Sequence, residues 1–198
     1  MSKLAAVNRL QFKLTQRDTP TMPAYAVLLR GVNVGKGNRL PMAEFRVLLE
    51  GLGFSDVRTL LNSGNAVFTT PRARKPDLIA KAIHDAVAER FGFAVDVVVK
   101  SKEDVDQIVA GNTLAAGCDD PSRLLVIFTQ NLALLPPLAA LASLASAGER
   151  LLVQPQAAYL HCAQGILESK IGNALVGKPG RGLTTRNWAT TLKLQAML

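Results

Sequence analysis

The order of apolar and amphipathic segments between residues 25 and 100 constrains the fold of this chain more than any other feature. Tyr25–Val34 is apolar and β-branched, which is typical of a buried strand. Apolar residues at helical spacing predict helices over 41–52 and 76–91. Three further strands are predicted, at Val57–Leu61, Ala66–Thr70 and Val95–Val99. The resulting order predicts an α+β fold with a ferredoxin-like split βαββαβ subdomain, in which two helices cover one sheet face.

The sequence pattern over residues 102–198 predicts a second, smaller α+β subdomain. Strands are expected at Arg123–Thr129, Glu149–Val153 and Ala158–Cys162. Helices are expected over Glu103–Val109, over Leu138–Ala147, and near 167–176 and 185–197. Counted from Arg123–Thr129, the predicted order is βαββα followed by one more helix. This order echoes the first half but has no counterpart of its last strand. We interpret 22–101 and 102–198 as two subdomains. We interpret residues 1–21 as an N-terminal tail, either disordered or the product of an over-long gene start.

Positive charge is concentrated at the two ends of the sequence. Residues 1–46 hold 8 Lys/Arg against 2 Asp/Glu, and residues 164–198 hold 5 against 1, within a formal net charge of +8. Such a basic protein favours anionic partners, including nucleic acid, nucleotides and phosphorylated metabolites. Solubility alone is the alternative explanation for the charge.

Few residues suit metal or redox chemistry. The two cysteines, Cys118 and Cys162, form no CxxC motif, and the chain has only two histidines, His84 and His161. A zinc site needs more ligands at closer spacing, so we predict no metal and no cofactor. No apolar run reaches membrane-spanning length, which argues against a membrane partner. Reduced cysteines and the lack of a recognisable signal peptide favour the cytoplasm.

The glycine-rich segment 31–38 joins a predicted strand to a helix and is the first candidate anion site. Glycines let backbone N–H groups approach a ligand closely, and Lys36 and Arg39 add full charges near a helix start. The segment is not a Walker A motif, because its spacing is one residue short and Gly37 replaces Ser/Thr. A plain turn without a ligand is the alternative. Arg30, within the apolar strand, must pair with a carboxylate or face solvent or a ligand.

The segment 184–188, TTRNW, is the second candidate. It places hydroxyls, a cation, an amide and the only tryptophan together at a predicted helix start. Arg186 and Asn187 are therefore predicted to bind an anion at that helix N-terminus. A capped helix that packs Trp188 into the core is the alternative. Ser63, in the predicted turn 62–65, has no GxSxG context, and we find no catalytic triad, metal set or carboxylate pair.

These segments together define one predicted site. We expect the two halves to bring them to a single basic cleft, which is a common place for ligand binding. The predicted ligand-binding residues are Arg30, Asn33, Lys36, Asn38, Arg39, Ser63, Asn65, Lys170, Asn173, Arg186 and Asn187.

Several of the same segments resemble a known family. The runs 25–41 (YAVLLRGVNVGKGNRLP), 57–59 (VRT) and 62–68 (NSGNAVF) resemble the first half of the bacterial domain-of-unknown-function family 1697, DUF1697. The runs 169–174 (SKIGNA) and 184–194 (TTRNWATTLKL) resemble its C-terminal signature. The resemblance covers residues 24–196 and implies a two-subdomain α+β fold, but no established activity, substrate or catalytic residue. Two departures are Asn62, where the family usually has Gln, and the linker 177–182.

Three classes of function are consistent with these patterns. The leading hypothesis is a protein that binds a phosphate-bearing ligand, such as a nucleotide or nucleic acid, in a basic cleft between the subdomains. One alternative is an enzyme that acts on a phosphorylated small molecule, which would need a base or nucleophile beside the anion site. The other is a non-catalytic interaction module in which the glycines serve packing alone. The oligomeric state stays open.

Overall fold

The chain forms two halves, each built on a four-stranded sheet. The computed structural model describes residues 22–35 and 37–198, so the predicted tail at 1–21 and Lys36 lie outside the described residues. The first half contains β1 (Ala24–Leu29), α1 (Met42–Gly51), β2 (Ser55–Leu60), β3 (Asn65–Thr69), α2 (Pro76–Phe91), β4 (Val97–Ser101) and α3 (Lys102–Ala110). The second half contains β5 (Leu124–Thr129), a 3-10 helix (Pro136–Leu144), β6 (Arg150–Val153), β7 (Ala158–His161), α4 (Lys170–Val176), β8 (Leu183–Asn187) and α5 (Trp188–Met197).

Both sheets are antiparallel and have the same strand order. The first sheet runs β2-β3-β1-β4 and the second runs β6-β7-β5-β8. The predicted α+β class is therefore confirmed. Counted from the first strand of each half, the two orders are identical, so the second half repeats the topology of the first.

The predicted absence of a fourth strand in the second half is wrong. Leu183–Asn187 forms β8, which pairs antiparallel with β5 and places Arg186 opposite Val126. Thr184 and Thr185 are β-branched and suit a strand. The helix begins at Trp188 rather than near 185, because the Asn187 side chain accepts a hydrogen bond from the Thr190 N–H at 2.9 Å and caps it.

Two other predicted elements differ from the structure. The first strand ends at Leu29, so Arg30 lies just beyond the strand and not within it. The segment predicted as an α-helix over Leu138–Ala147 is a 3-10 helix over Pro136–Leu144. Leu138 is the buried residue of that segment. With so little packing, tertiary contacts do not favour a regular α-helix there.

The repeat between the halves extends to the register and to one more helix. Lys100 on β4 lies opposite Ala26, the third residue of β1, as Arg186 on β8 lies opposite Val126, the third residue of β5. In both halves the strand ends at the N-cap of a helix. Ser101 accepts a hydrogen bond from the Asp104 N–H at 3.1 Å and caps α3, as Asn187 caps α5. Lys100 and Arg186 are therefore equivalent positions in the two halves.

Three apolar clusters hold these layers together. The first cluster packs α1 and α2 on one face of the first sheet, and the third packs the 3-10 helix and α4 on one face of the second sheet. The second cluster joins the remaining faces of both sheets with α3 and α5. Its members include Ala26, Leu28, Val98, Val105, Val126, Phe128, Tyr159, Trp188 and Leu194. The first-sheet face that the sequence left uncovered is thus buried against the second half.

No described helix has the length and apolar character needed to cross a membrane. Cys118 and Cys162 are both free thiols, and burial raises the pKa of the Cys162 thiol.

Gly64 ends the turn between β2 and β3 at a place where the two halves meet. Its φ is +73°, and a Cβ atom there would lie 2.7 Å from Leu29 Cβ and 2.7 Å from Val32 Cγ2. Its carbonyl accepts the Leu29 N–H at 2.8 Å. Both the backbone conformation and the available space therefore require glycine.

We predict that Gly64→Ala lowers the free energy of unfolding by about 2–4 kcal/mol, because it combines left-handed strain with overpacking. Urea unfolding followed by circular dichroism measures the change. Gly53→Ala is the matched control, since Gly53 has φ +81° but no atom within 4 Å of its added Cβ. The control should lose only about 1 kcal/mol. Equal losses for both variants would contradict the proposed overlap.

Candidate functional site

Arg186 connects the second half to the first through its whole guanidinium group. An arginine side chain has five N–H donors. In this structure all five find an acceptor: Nε donates to Asn65 Oδ1, Nη1 donates to Thr184 Oγ1 (2.8 Å) and to the Thr185 carbonyl (2.8 Å), and Nη2 donates to the carbonyls of Leu29 (2.7 Å) and Ser63 (3.0 Å). Three of the five acceptors, Leu29, Ser63 and Asn65, belong to the first half.

The positive charge of Arg186 is not neutralised by these contacts. Every acceptor is a neutral oxygen, and Arg186 forms no ion pair with a carboxylate of the described residues. Burial lowers the pKa of Arg186 to about 10, because the charged form loses hydration. The side chain nevertheless remains a cation near neutral pH. An anion placed beside it would therefore gain from an uncompensated charge.

Arg30 makes the opposite crossing, from the first half to the second. Its Nη1 donates to the carbonyls of Gly180 and Leu183. Its backbone N–H donates to the Asp96 carbonyl at 3.0 Å, which keeps Arg30 beside the edge strand β4. Pairing with a carboxylate, one of the alternatives that the sequence left open for Arg30, does not occur among the described residues. Nε and Nη2 of Arg30 have no hydrogen-bond partner in the described part of the chain and are available to a ligand.

Close backbone packing brings the Gly180 carbonyl within reach of Arg30. Gly180 is buried, and a Cβ atom there would overlap the Leu175 carbonyl at the end of α4. Glycine is therefore required for the short 3-10 turn at Lys178–Gly180 to pack on α4. This turn lies within the linker at 177–182.

The loop after β1 is held by the side chain of Asn33. Its Nδ2 donates to the carbonyls of Leu40 (2.8 Å) and Asn62 (2.7 Å), and its Oδ1 accepts the Leu40 N–H at 2.9 Å. Asn65 has a similar role inside the turn 62–65. Its Nδ2 donates to the Leu60 carbonyl (3.0 Å) and to Ser63 Oγ (3.0 Å), while its Oδ1 receives Arg186. Both side chains shape the site and have little left to offer a ligand.

The two arginines line one cavity of about 410 Å³ between the halves. Its walls are formed by the end of β1 and the loop after it, by α4, and by β8. The lining residues are Leu29, Arg30, Gly31, Val32, Val34, Ser63, Leu125, Ile166, Gly172, Leu175, Val176, Leu183, Thr184, Thr185 and Arg186. These described lining residues include two cations, three hydroxyl side chains, two glycines and eight aliphatic side chains, but no carboxylate, histidine or aromatic ring.

Three of the predicted ligand-binding residues line this cavity: Arg30, Ser63 and Arg186. They come from both halves of the sequence and converge in one place. The Ser63 hydroxyl accepts a hydrogen bond from Asn65 and keeps its own proton for another acceptor. Asn33 and Asn65 lie behind the wall and hold its loops in place.

The other predicted residues lie elsewhere or outside the description. Asn38 and Arg39 are exposed on the loop before α1, and Lys170 and Asn173 are exposed on α4. Asn187 uses its side chain as the cap of α5. None of these five lines the cavity. Lys36 lies outside the described residues.

Sequence reasoning missed the aliphatic entrance of the cavity. Val34 comes from the loop after β1, while Ile166 precedes α4 and Val176 ends it. All three are exposed, with 71%, 40% and 78% of their surface accessible to solvent. The sequence contained one indication of this entrance: aliphatic residues that follow no helix or strand periodicity lie inside the two glycine-bearing segments.

A second, shallower cavity of about 260 Å³ shares Arg30 and Gly31 with the first. Its other lining residues are His84, Ala94, Val95 and Asp96. His84 Nδ1 lies 2.7 Å from the Val95 carbonyl, so Nδ1 carries the proton and Nε2 is the basic nitrogen. Within the described residues, no three His, Cys, Asp or Glu side chains are grouped closely enough to hold a metal ion.

The fold and this site define a class: a repeated two-sheet α+β protein with an arginine-lined cavity between its halves. Residues 22–159 match the family described as "Protein of unknown function (DUF1697)". The chain belongs to this family, as the resemblance in its sequence indicated.

Structural comparison shows the same overall fold in a solved structure. The chain is similar to the solved structure of the conserved bacterial protein SP0830 from Streptococcus pneumoniae, with a TM-score of 0.74 and 27% sequence identity. The match covers 89% of this chain and 98% of the other. Among curated proteins no relative matches this chain.

We predict that Arg186→Met lowers the free energy of unfolding by about 3 kcal/mol or more. The substitution leaves buried acceptors on both halves without a donor, and each such group costs about 1–3 kcal/mol. Chemical unfolding measured by Trp188 fluorescence and by circular dichroism checks the loss. Arg46→Met is the control, because Arg46 forms an exposed pair with Glu50 on α1 and should change stability by less than about 0.5 kcal/mol. A loss below about 1 kcal/mol for Arg186→Met would contradict the assigned role.

Proposed function

We propose that this protein binds a phosphate-bearing ligand in the cavity between its two halves. The observation that carries the proposal is the presence of Arg30 and Arg186 in the lining of one cavity with no carboxylate among the described lining residues. Two uncompensated cations in a partly enclosed space attract an anion more strongly than the same charges do on an open surface.

The two arginines have different roles in this proposal. Arg30 supplies hydrogen-bond donors, because its Nε and Nη2 have no partner in the described part of the chain. Arg186 supplies charge, because its five donors already have acceptors, three of which lie in the first half. Ser63 adds a hydroxyl donor. A planar arginine donor pair suits the oxygens of a phosphate.

We further propose that each half is a ferredoxin-like split βαββαβ unit, and that the protein works in the cytoplasm. The common strand order and the antiparallel pairing support the first proposal. The free thiols of Cys118 and Cys162 are compatible with a reducing compartment.

Nucleic acid is the less favoured form of this ligand. Ferredoxin-like sheets that bind RNA stack bases on exposed aromatic side chains. Here the described lining residues include no aromatic side chain, and both faces of the first sheet are covered by packed clusters. A gel-shift assay at about 50 mM salt, where counterion release favours association, tests this form. An oligonucleotide that the protein retards, and that the Arg30→Gln variant does not retard, would favour nucleic acid over a small ligand.

An enzyme that acts on a phosphorylated small molecule is the second candidate. His84 supports it, because it lines a cavity that shares Arg30 with the main one and its Nε2 is left free by the contact of Nδ1 with the Val95 carbonyl. The described lining of the main cavity contains no histidine or carboxylate that could act as a general base. His84→Gln should leave binding unchanged in either case, and a turnover lost in that variant would favour the enzyme.

The proposal predicts a saturable thermal shift with phosphate compounds that depends on Arg30. Inorganic phosphate, pyrophosphate, ribose 5-phosphate and AMP form a suitable panel for differential scanning fluorimetry. A compound present at 100 times its Kd should stabilise the folded protein by about 2.7 kcal/mol. Arg30→Gln should remove the shift, because it removes a charge and the free donors.

Arg39→Gln is the matched control for charge. Arg39 is exposed on the loop before α1 and does not line the cavity. It should keep the full shift, and unliganded melting curves should show that both variants are folded. Equal loss in both variants would indicate general electrostatic attraction. No shift with any compound would contradict the proposal.

A further inference from the structure

We infer that the ligand of this cavity is an amphiphilic anion: a phosphate ester whose organic part is an aliphatic chain rather than a sugar or a nucleobase. This inference rests on the function proposed above and specifies the chemistry of the ligand. The anionic end lies at the arginine wall, and the chain extends over the aliphatic wall towards the entrance.

Apart from the arginines, the hydroxyl-bearing residues and the glycines, the described lining residues of the cavity are aliphatic. Leu29 and Val32 come from the first half, and Leu125, Leu175 and Leu183 come from the second. These five residues are buried in the protein. A polar sugar placed against them would lose hydration without gaining hydrogen bonds.

Exposed aliphatic side chains mark the entrance of the cavity. Val34, Ile166 and Val176 line the cavity and are exposed to solvent. Single exposed apolar residues are ordinary, but three that line one cavity form an apolar rim from both halves of the chain. Covering this rim with a chain removes apolar surface from water.

The lining also argues against a nucleobase. Proteins that hold a base without reading its edges stack it on aromatic rings, or on an arginine plane. The described lining residues contain no aromatic ring. Hydrogen bonds in the guanidinium plane leave its faces free, so Arg30 and Arg186 are the stacking platforms that the described lining offers a base, and AMP tests them. An aliphatic chain needs no such partner.

A chain-length series tests this inference directly. Isothermal titration with inorganic phosphate, ethyl phosphate, butyl phosphate and hexyl phosphate measures how affinity depends on the chain. A fully buried methylene contributes about 0.8 kcal/mol, which is about fourfold in affinity. Because the rim is only partly enclosing, we expect hexyl phosphate to bind at least about tenfold more tightly than ethyl phosphate. Hexanol, which lacks the anion, should bind far more weakly than hexyl phosphate.

Variants of the rim residues distinguish binding of the ligand's aliphatic chain from binding of its phosphate headgroup. Ile166→Ser and Val176→Ser change exposed side chains, so both should fold normally. They should reduce the tenfold gain to less than about threefold and leave the affinity for ethyl phosphate unchanged. Leu78→Ser is the matched control, because Leu78 is exposed on α2 and does not line the cavity. It should retain the full gain.

The outcomes distinguish this inference from the proposed function. If all members of the series bind with equal affinity and Arg30→Gln abolishes this binding, the inference of an aliphatic chain is overturned and the proposed phosphate binding stands. Tighter binding of ribose 5-phosphate or AMP than of hexyl phosphate would have the same consequence. No binding of any phosphate, or hexanol binding as tightly as hexyl phosphate, would overturn both.

Discussion

The hydrogen bonds of Arg186 hold the two halves in the arrangement that creates the cavity. The guanidinium lies on the last strand of the second half, and it binds the end of β1 and the turn before β3 in the first half. A guanidinium can satisfy this many acceptors at once because its five donors lie in one plane. No lysine could do so. The same group fixes the geometry of the opening and leaves an uncompensated positive charge inside it.

Equivalent positions in the two halves hold buried cations in different surroundings. Lys100 occupies the position in the first half that Arg186 occupies in the second. Burial lowers the pKa of Lys100, but the carboxylates of Asp104 and Asp77 partly offset this effect. Among the described residues no carboxylate pairs with Arg186, and burial lowers its pKa. The two equivalent cations therefore differ in that nearby carboxylates raise the pKa of Lys100 only.

A second pair of equivalent positions shows the same asymmetry. Arg30 directly follows β1, and Gln130 directly follows β5. Both side chains cross to the opposite half. Gln130 accepts the Val99 N–H at 2.8 Å and donates to Asp77, so both ends of its amide are used. Arg30 keeps two nitrogen atoms without a partner in the described residues. The repeat supplies the scaffold, and the differences at these two pairs of positions supply the two cations of the proposed anion site.

The fold was largely predictable from sequence, because strands and amphipathic helices repeat their apolar residues locally. The alternation over 25–100 predicts the first half, and the family resemblance agrees with it. The exception is β8, where Thr184–Asn187 carries both strand-forming threonines and a helix cap, and local pattern cannot decide between them. Within the site, Arg30 and Arg186 were predictable as charges among glycines and apolar residues. Their acceptors are mostly backbone carbonyls of distant segments, which no side-chain pattern reveals.

The most direct test of this account is an NMR measurement of arginine Nε–H groups in the ¹⁵N-labelled protein. The account predicts that the Arg186 Nε–H, bonded to the buried Asn65, exchanges with water much more slowly than the exposed Arg39 Nε–H. It also predicts that added inorganic phosphate shifts the Arg30 Nε–H signal saturably. Fast exchange at Arg186, together with an Arg30 signal that phosphate does not move, would contradict both the connection between the halves and the anion site.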